Sequence, residues 1–269
     1  MIPITFEGDG RSSYLLEPPF LRHDGALYGG TAIAASVLAM EAATERSVQW
    51  ITTQFVRPAQ NGSTIDMQTD VLATGKRTAQ VRVTASVGEE IVYTSIGSVG
   101  IPIETGLTGQ FEQMPNVGGP DEAVDIWSGH TRPGQIPDQD SFRRAVEYRQ
   151  MPAGEGPGPI FMWSRFTDGT PMTRAGLAFV ADMVPVAIAR GAGKMGAGTS
   201  LDNSMRFGQV PEVEWVLLEL RGNLAAGGYG HGIVRCWAED GTYLAIGSQT
   251  ASMIFIFDEG EAPPFMTQS

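Results

Sequence analysis

The chain has 269 residues, 42% of them hydrophobic and 18% charged, which is enough apolar matter for a sizeable core in one large domain or two ordinary ones. Eighteen Lys and Arg stand against 30 Asp and Glu, a net charge of −12, and this argues against a nucleic-acid partner because phosphate binding needs a broad basic surface. Cys236 is the single cysteine, so an intramolecular disulfide and a thiolate metal cluster are excluded. His23, His130 and His231 lie far apart without metal-ligand spacing, and no metal or other cofactor is expected. The start "MIPITFEGDGRSS" lacks the basic and apolar regions of a signal peptide, and no run approaches the roughly 18 apolar residues of a membrane span. A soluble, cytoplasmic protein is the expectation.

A leading strand, "SYLLEPPF", precedes the first strong helix signal, "GALYGGTAIAASVLAMEAAT" at 25–44. Small and apolar residues run round all its faces, the mark of a buried helix. Four strand-like runs follow: "VQWITTQFVRP", "STIDMQTDVLATG", "TAQVRVTASVG" and "EIVYTSIGSVG", separated by short turns as in an antiparallel meander. Residues 104–140, with "VGGPDE" and "RPGQIPDQD", read as a linker. The order then returns. "FRRAVEYRQ" and "IFMWSRF" are leading strands, and "PMTRAGLAFVADMVPVAIAR" at 171–190 is helical, kinked or ended by Pro185. "SLDNSMRFGQVP", "EWVLLELRGNLA", "GHGIVRCWAEDG" and "TYLAIGSQTASMIFIF" repeat the strand series. From Phe55 to Tyr93 is 38 residues, and from Phe207 to Leu244 is 37. The chain therefore divides as 1–103, a linker at 104–140, and 141–269. The fold class is α+β, with two tandem helix-plus-antiparallel-sheet units expected to form one continuous sheet.

One strand poses a chemical question. "TSLDNSMRFG" at 199–208 carries Asp202, a poor strand residue whose carboxylate is costly to bury unless paired or used. By itself Asp202 reads as a turn cap or an arginine partner. His231 reads as a loop or strand-edge residue and Cys236 as a small core residue. Lys76, Arg77 and Arg82 read as exposed charges that could also meet a phosphate. "GAGKMGAGTS" at 191–200 lacks the Lys-Ser/Thr pair of a phosphate loop.

Three segments together resemble the TesB-like acyl-CoA thioesterases (thioesterase II), which have the double hotdog fold. "LYGGTAIAASVLA" is similar to that family's Gly-Gly start of the first central helix. "FVRP" at 55–58 is similar to the strand that follows, and "LDNSMRF…EW" to its Asp-His-Ser-x-x-Phe segment followed by Glu-Trp. The resemblance implies hydrolysis of acyl-CoA by an Asp, a Thr or Ser, and a Gln of the second half. Asp202 fits the Asp and Gln249 the Gln. Asn223 stands at the hydroxyl position, and Asn203 replaces the family's His.

Thioester hydrolysis needs an activated water, a place for the oxyanion and a slot for the acyl chain. Asp202 would be the general base, or a nucleophile, with Gln249 and Asn223 positioning the water. Gly29 and Gly30, at the positive end of the first helix, would stabilise the oxyanion. A tunnel beside that helix, lined by Ala32, Ala35 and Ser36, would take a medium or long acyl chain. The expected partner is acyl-CoA, and the expected assembly a homo-oligomer. The alternative is a double hotdog that binds acyl-CoA without turning it over. A hydratase reading is weaker, because no His lies near Asp202.

Overall fold

The first helix, α1 (Gly29–Thr44), lies within the stretch expected from the sequence and buries ten of its 16 residues. The reason is position: a sheet covers one side of it and the second half's helix the other. A computed structural model describes residues 1–125, 140–152, 154 and 156–258. Strands β1 (Thr5–Gly8) and β2 (Arg11–Leu15) precede α1. Strands β3 (Ser47–Phe55), β4 (Thr64–Thr74), β5 (Thr78–Val87) and β6 (Glu90–Gly100) follow it. Their apolar residues alternate, so Ala79, Val81, Val83 and Ala85 of β5 all face the helix and are buried.

The second half repeats the plan. Strands β7 (Val124–Asp125), β8 (Val146–Gln150) and β9 (Ile160–Phe166) lead into two short helices, α2 (Arg174–Val180) and α3 (Val184–Gly191). The single helix expected over 171–190 is thus interrupted at 181–183. Pro185 explains the break: it has no N–H to give the carbonyl four residues back, and its ring crowds that carbonyl. Strands β10 (Met195–Phe207), β11 (Val216–Ala226), β12 (Tyr229–Ala238) and β13 (Tyr243–Phe257) complete the unit.

The thirteen described strands form one antiparallel sheet in the order β1-β2-β4-β5-β6-β3-β10-β13-β12-β11-β9-β8-β7. The two halves mirror each other across the β3–β10 pair, where Thr53 lies opposite Asn203 and Thr52 opposite Ser204. The Thr52 and Ser204 hydroxyls meet across this joint at 2.8 Å. The landmarks of the repeat hold their places: Phe55 pairs with Tyr93, and Phe207 with Ala245, next to Leu244. This is the continuous double sheet expected from the sequence.

The segment read as a linker is exposed over most of residues 104–113 and packed from Met114 onward; residues 126–139, including His130, lie outside the described residues. Met114, Val117 and Ala123 cover a cluster of Trp163, Trp215, Leu217 and Trp237 on the face of the second half turned away from the helices. Trp163 donates its indole N–H to the Gly118 carbonyl at 2.9 Å, and Val124 and Asp125 pair with β8. No described helix is long and apolar enough to cross a membrane.

Helix α3 sits directly on the sheet because the residues beneath it are glycines. A Cβ on Gly222 would lie 2.5 Å from the Ala187 carbonyl oxygen and 2.7 Å from the Ile188 Cα, both backbone atoms. Gly222→Ala is therefore expected to lift α3 and destabilise the protein by about 1–3 kcal/mol, the usual range for overpacking, as measured by chemical denaturation.

Candidate active site

The break between α2 and α3 places a carboxylate where two apolar helices would otherwise run together. Asp182 is the one charged residue between Ala175 and Ala189. Two tyrosines fix the turn around it. Tyr148 donates its hydroxyl to the Val180 carbonyl at 3.1 Å, and Tyr28 donates to the Asp182 carbonyl at 3.4 Å. Tyr28 is held in turn by stacking on Phe142, with ring centroids 4.2 Å apart.

The Asp182 side chain points at the start of α1. That helix has Tyr28 at its N-cap position, with no side-chain cap of its own. The Asp182 carboxylate takes the role from the other half of the chain and accepts the Gly30 N–H. Gly29 and Gly30 make the approach possible. A Cβ on Gly29 would stand 2.4 Å from Asp182 Oδ2, and one on Gly30 would stand 2.2 Å from the Phe179 carbonyl oxygen. The helix N-terminus expected to face an oxyanion is thus in place, with the Gly30 N–H engaged by Asp182.

Beneath Asp182 runs a buried polar row. Ser95, Thr53, Asn203 and Gln249 are successive cross-strand partners on β6, β3, β10 and β13, and all four are buried. Asp182 Oδ1 accepts from Asn203 Nδ2 at 2.9 Å and from Gln249 Nε2 at 2.7 Å. The first half holds a matching cluster without charge. Ser95 Oγ lies 2.8 Å from both Ser36 Oγ of α1 and Thr53 Oγ1. On the Asp182 side the amide oxygens Asn203 Oδ1 and Gln249 Oε1 are buried without a hydrogen-bond partner. Two hydrogen-bond acceptors there are therefore unfilled.

Burial pushes the Asp182 carboxyl up to about 6, against the lowering effect of Asn203, Gln249, the Gly30 N–H and the more distant Arg22. Such a group changes charge near neutrality, as a general base must.

The residues singled out in the sequence divide into two groups. Gln249, Gly29 and Gly30 meet at Asp182. Asp202 occupies the next position on β10, and its Oδ1 accepts the Thr250 N–H at 2.9 Å. Thr250 bonds through Oγ1 to His231 Nδ1 at 2.9 Å, and His231 lies within β12. Asn223 is exposed at an irregularity of β11. It lines a cavity of about 150 Å³ with His231, Ser248, Gln249 and Thr250. Among the described residues no side-chain hydrogen bond links Asp202 to Gln249 or to Asn223. Ala32, Ala35 and Ser36, expected to line a tunnel beside α1, are fully buried in the core. Cys236 is buried in the core, with its thiol pushed up to about 12 by desolvation. Arg82 is paired with Asp70 at 2.8 Å. Among the described residues no His, Cys, Asp and Glu group could hold a metal ion.

Comparison with known proteins now bears on this geometry. Residues 18–100 match the family described as acyl-CoA thioesterase N-terminal domain, and residues 114–253 match its C-terminal domain. The chain belongs to the acyl-CoA thioesterase family. A solved structure from Novosphingobium aromaticivorans DSM 12444, provisionally named a thioesterase, is 29% identical, with 94% of this chain and 100% of that chain covered and a TM-score of 0.86. The tesB protein of Mycobacterium avium subspecies paratuberculosis shares the fold at 18% identity, covering 94% and 96%, with a TM-score of 0.77. A hot dog fold protein of unknown function from Alicyclobacillus acidocaldarius does so at 19%, covering 93% and 95%, with a TM-score of 0.80. No curated protein matches the chain. The TesB-like family and the double hotdog fold expected from the sequence both hold.

In this thioesterase-family chain the sequence reading missed Asp182, and the signal for it was present: one carboxylate inside a 15-residue apolar run. Its titration can be read without turnover. A carboxyl raised above its ordinary value binds its proton more tightly in the folded state. It therefore adds stability at pH below its unfolded value, and this is lost as pH rises to about 6. The stability of wild type minus that of Asp182→Asn is expected to fall between about pH 4 and 6 and to be level above, measured by urea denaturation across that range.

Proposed function

We propose that the chain is an acyl-CoA thioesterase that hydrolyses medium- or long-chain acyl-CoA to a free fatty acid and CoA, with Asp182 as the general base. The carrying observation is the buried carboxylate, raised to about 6, set between the α1 N-terminus and two amides. Ionised Asp182 takes a proton from water, whose oxygen attacks the thioester carbonyl carbon. Gln249 Oε1 and Asn203 Oδ1, the open acceptors, orient that water and the substrate. Negative charge on the carbonyl oxygen develops against the positive end of α1 at Gly29, the Gly30 N–H being held by Asp182. The tetrahedral species collapses, the carbon–sulfur bond breaks, and the CoA thiolate recovers the proton from Asp182. Phe55, Val56 and Leu201 support an apolar substrate. They lie just beyond the last β3–β10 residue pair, Gln54–Asp202, and Val56 and Leu201 are exposed. Exposed Ile96 and Ile254 on the outer sheet face support a homo-oligomer.

A second reading keeps Asp202 as the base with Gln249 and Asn223. It is favoured by the cavity that Asn223 and Gln249 share beside Thr250, the residue Asp202 bonds. Free-thiol release from acetyl- to palmitoyl-CoA decides between them. Turnover is expected to rise with chain length, since each buried methylene contributes about 0.8 kcal/mol. kcat should rise with pH through about 6 and level off above. Asp182→Asn should lower kcat by about 10² to 10⁴-fold with acyl-CoA binding kept, while Asp202→Asn should stay within a few-fold. The reverse pattern would establish Asp202 as the base. No thiol release from any acyl-CoA, with binding intact, would leave a non-catalytic acyl-CoA binder.

A further inference from the structure

A cavity of about 400 Å³ lies under the Gly- and Pro-rich connection between β8 and β9, at the end of α3. The connection opens where the Met151 N–H donates to the Phe161 carbonyl at 2.9 Å. Val117, Met151, Pro157, Pro159, Ile160 and Phe161 give the cavity apolar walls, and its prolines bring no N–H to them. Arg190, in the last turn of α3, is the one charged residue of the lining. Its Nη2 donates to the Gly154 carbonyl at 2.8 Å and to the Gly156 carbonyl at 3.0 Å. Both hydrogens of that nitrogen are thereby committed. Its Nε–H is buried and has no partner. Arg149, Arg165, Arg221 and Arg235 all pair with carboxylates, but among the described residues no carboxylate pairs with Arg190. In a chain of net charge −12 a half-buried guanidinium without a counter-ion stands out.

We infer that this cavity is a second binding site, for a free carboxylic acid with an apolar chain: the carboxylate accepts from Arg190 Nε, and the chain lies along Met151, Pro157, Ile160 and Phe161. The volume suits a small amphiphile. A buried donor left empty carries a cost that an anionic acceptor removes. One guanidinium balances one charge, which selects a monoanion over a CoA ester with its several phosphate charges. The site is separate from Asp182. Helix α3 has eight residues, about 12 Å of rise, and Arg190 stands at the end away from Asp182. Asp182, Asn203 and Gln249 are not among the lining residues. The inference therefore does not depend on which carboxylate is the base.

Titration calorimetry of the full chain with decanoate and with decanol, at a pH where decanoate is ionised, tests this. Wild type is expected to bind decanoate about ten- to hundredfold more tightly than decanol, the range of a hydrogen bond to a charged group. Arg190→Gln should weaken decanoate by that factor and leave decanol unchanged. Gly158→Leu keeps Arg190 and fills the cavity, since a Cβ on Gly158 meets nothing within 4 Å. It should weaken both ligands. Asp182→Asn should bind decanoate as wild type does, which separates this site from the catalytic one. Urea denaturation of each variant checks the fold. If Arg190→Gln fails to fold once its hold on Gly154 and Gly156 is gone, Gly158→Leu and the decanol comparison decide. No decanoate bound by wild type, equal affinity for decanoate and decanol, full binding in folded Gly158→Leu, or loss of binding in folded Asp182→Asn would each overturn the inference.

Discussion

The pairing of β3 with β10 is the constraint on which everything else hangs. Five residue pairs, from Gln54–Asp202 to Trp50–Arg206, join two sheets into one. They bring Thr53 beside Asn203, and they bring the start of α1 against the break between α2 and α3. Neither half alone holds both the helix N-terminus and the carboxylate that caps it. A one-residue slip at this joint would turn Asn203 outward and Asp202 inward. The Thr52–Ser204 hydroxyl contact and the flanking apolar pair Ile51–Met205, both fully buried, hold the register against that slip.

Asp182 sits in tension with the core around it. An isolated buried carboxylate is expensive, and three donors offset the cost only in part, which is why the group keeps its proton to about pH 6. The matching position of the first half avoids the cost altogether, since Ser36 is neutral and fully bonded to Ser95 and to the Ala32 carbonyl. A purely structural demand would have been met by such hydroxyls on both sides. A charge kept on one side only is more consistent with chemistry than with packing.

The architecture was legible in the sequence because it depends on repetition and periodicity. The apolar α1, the two meanders and the spacing from Phe55 to Tyr93 and from Phe207 to Leu244 all survive in space. The site was legible only in part. Gln249 and the glycine pair could be found from motifs, because their local sequence is distinctive. Asp182 was not singled out, because in the sequence it is one polar position in an apolar helical run, and only the break before Pro185 brings it to the start of α1. The hydrogen bond from Gln249 Nε2 to Ser200 Oγ could not be read, because the direction of Ser200 depends on a bulge in β10, and a bulge leaves no mark in the order of apolar and polar residues. The Gly- and Pro-rich segment at 104–140 read as a linker, yet Met114, Val117 and Ala123 lie on a tryptophan cluster that local composition did not announce.

The mirrored polar clusters also divide labour between the halves. Ser36, Thr53 and Ser95 saturate one another, while Asp182, Asn203 and Gln249 leave two acceptors open. A chain built from two like units thus offers one receptive nook and one that is closed. On the proposed function the stoichiometry that follows is one acyl-CoA ligand per polypeptide. The inert copy also has a consequence for change over generations: the first half can exchange residues along α1 under the demands of packing alone, whereas every substitution near 182, 203 or 249 must answer to packing and to charge together.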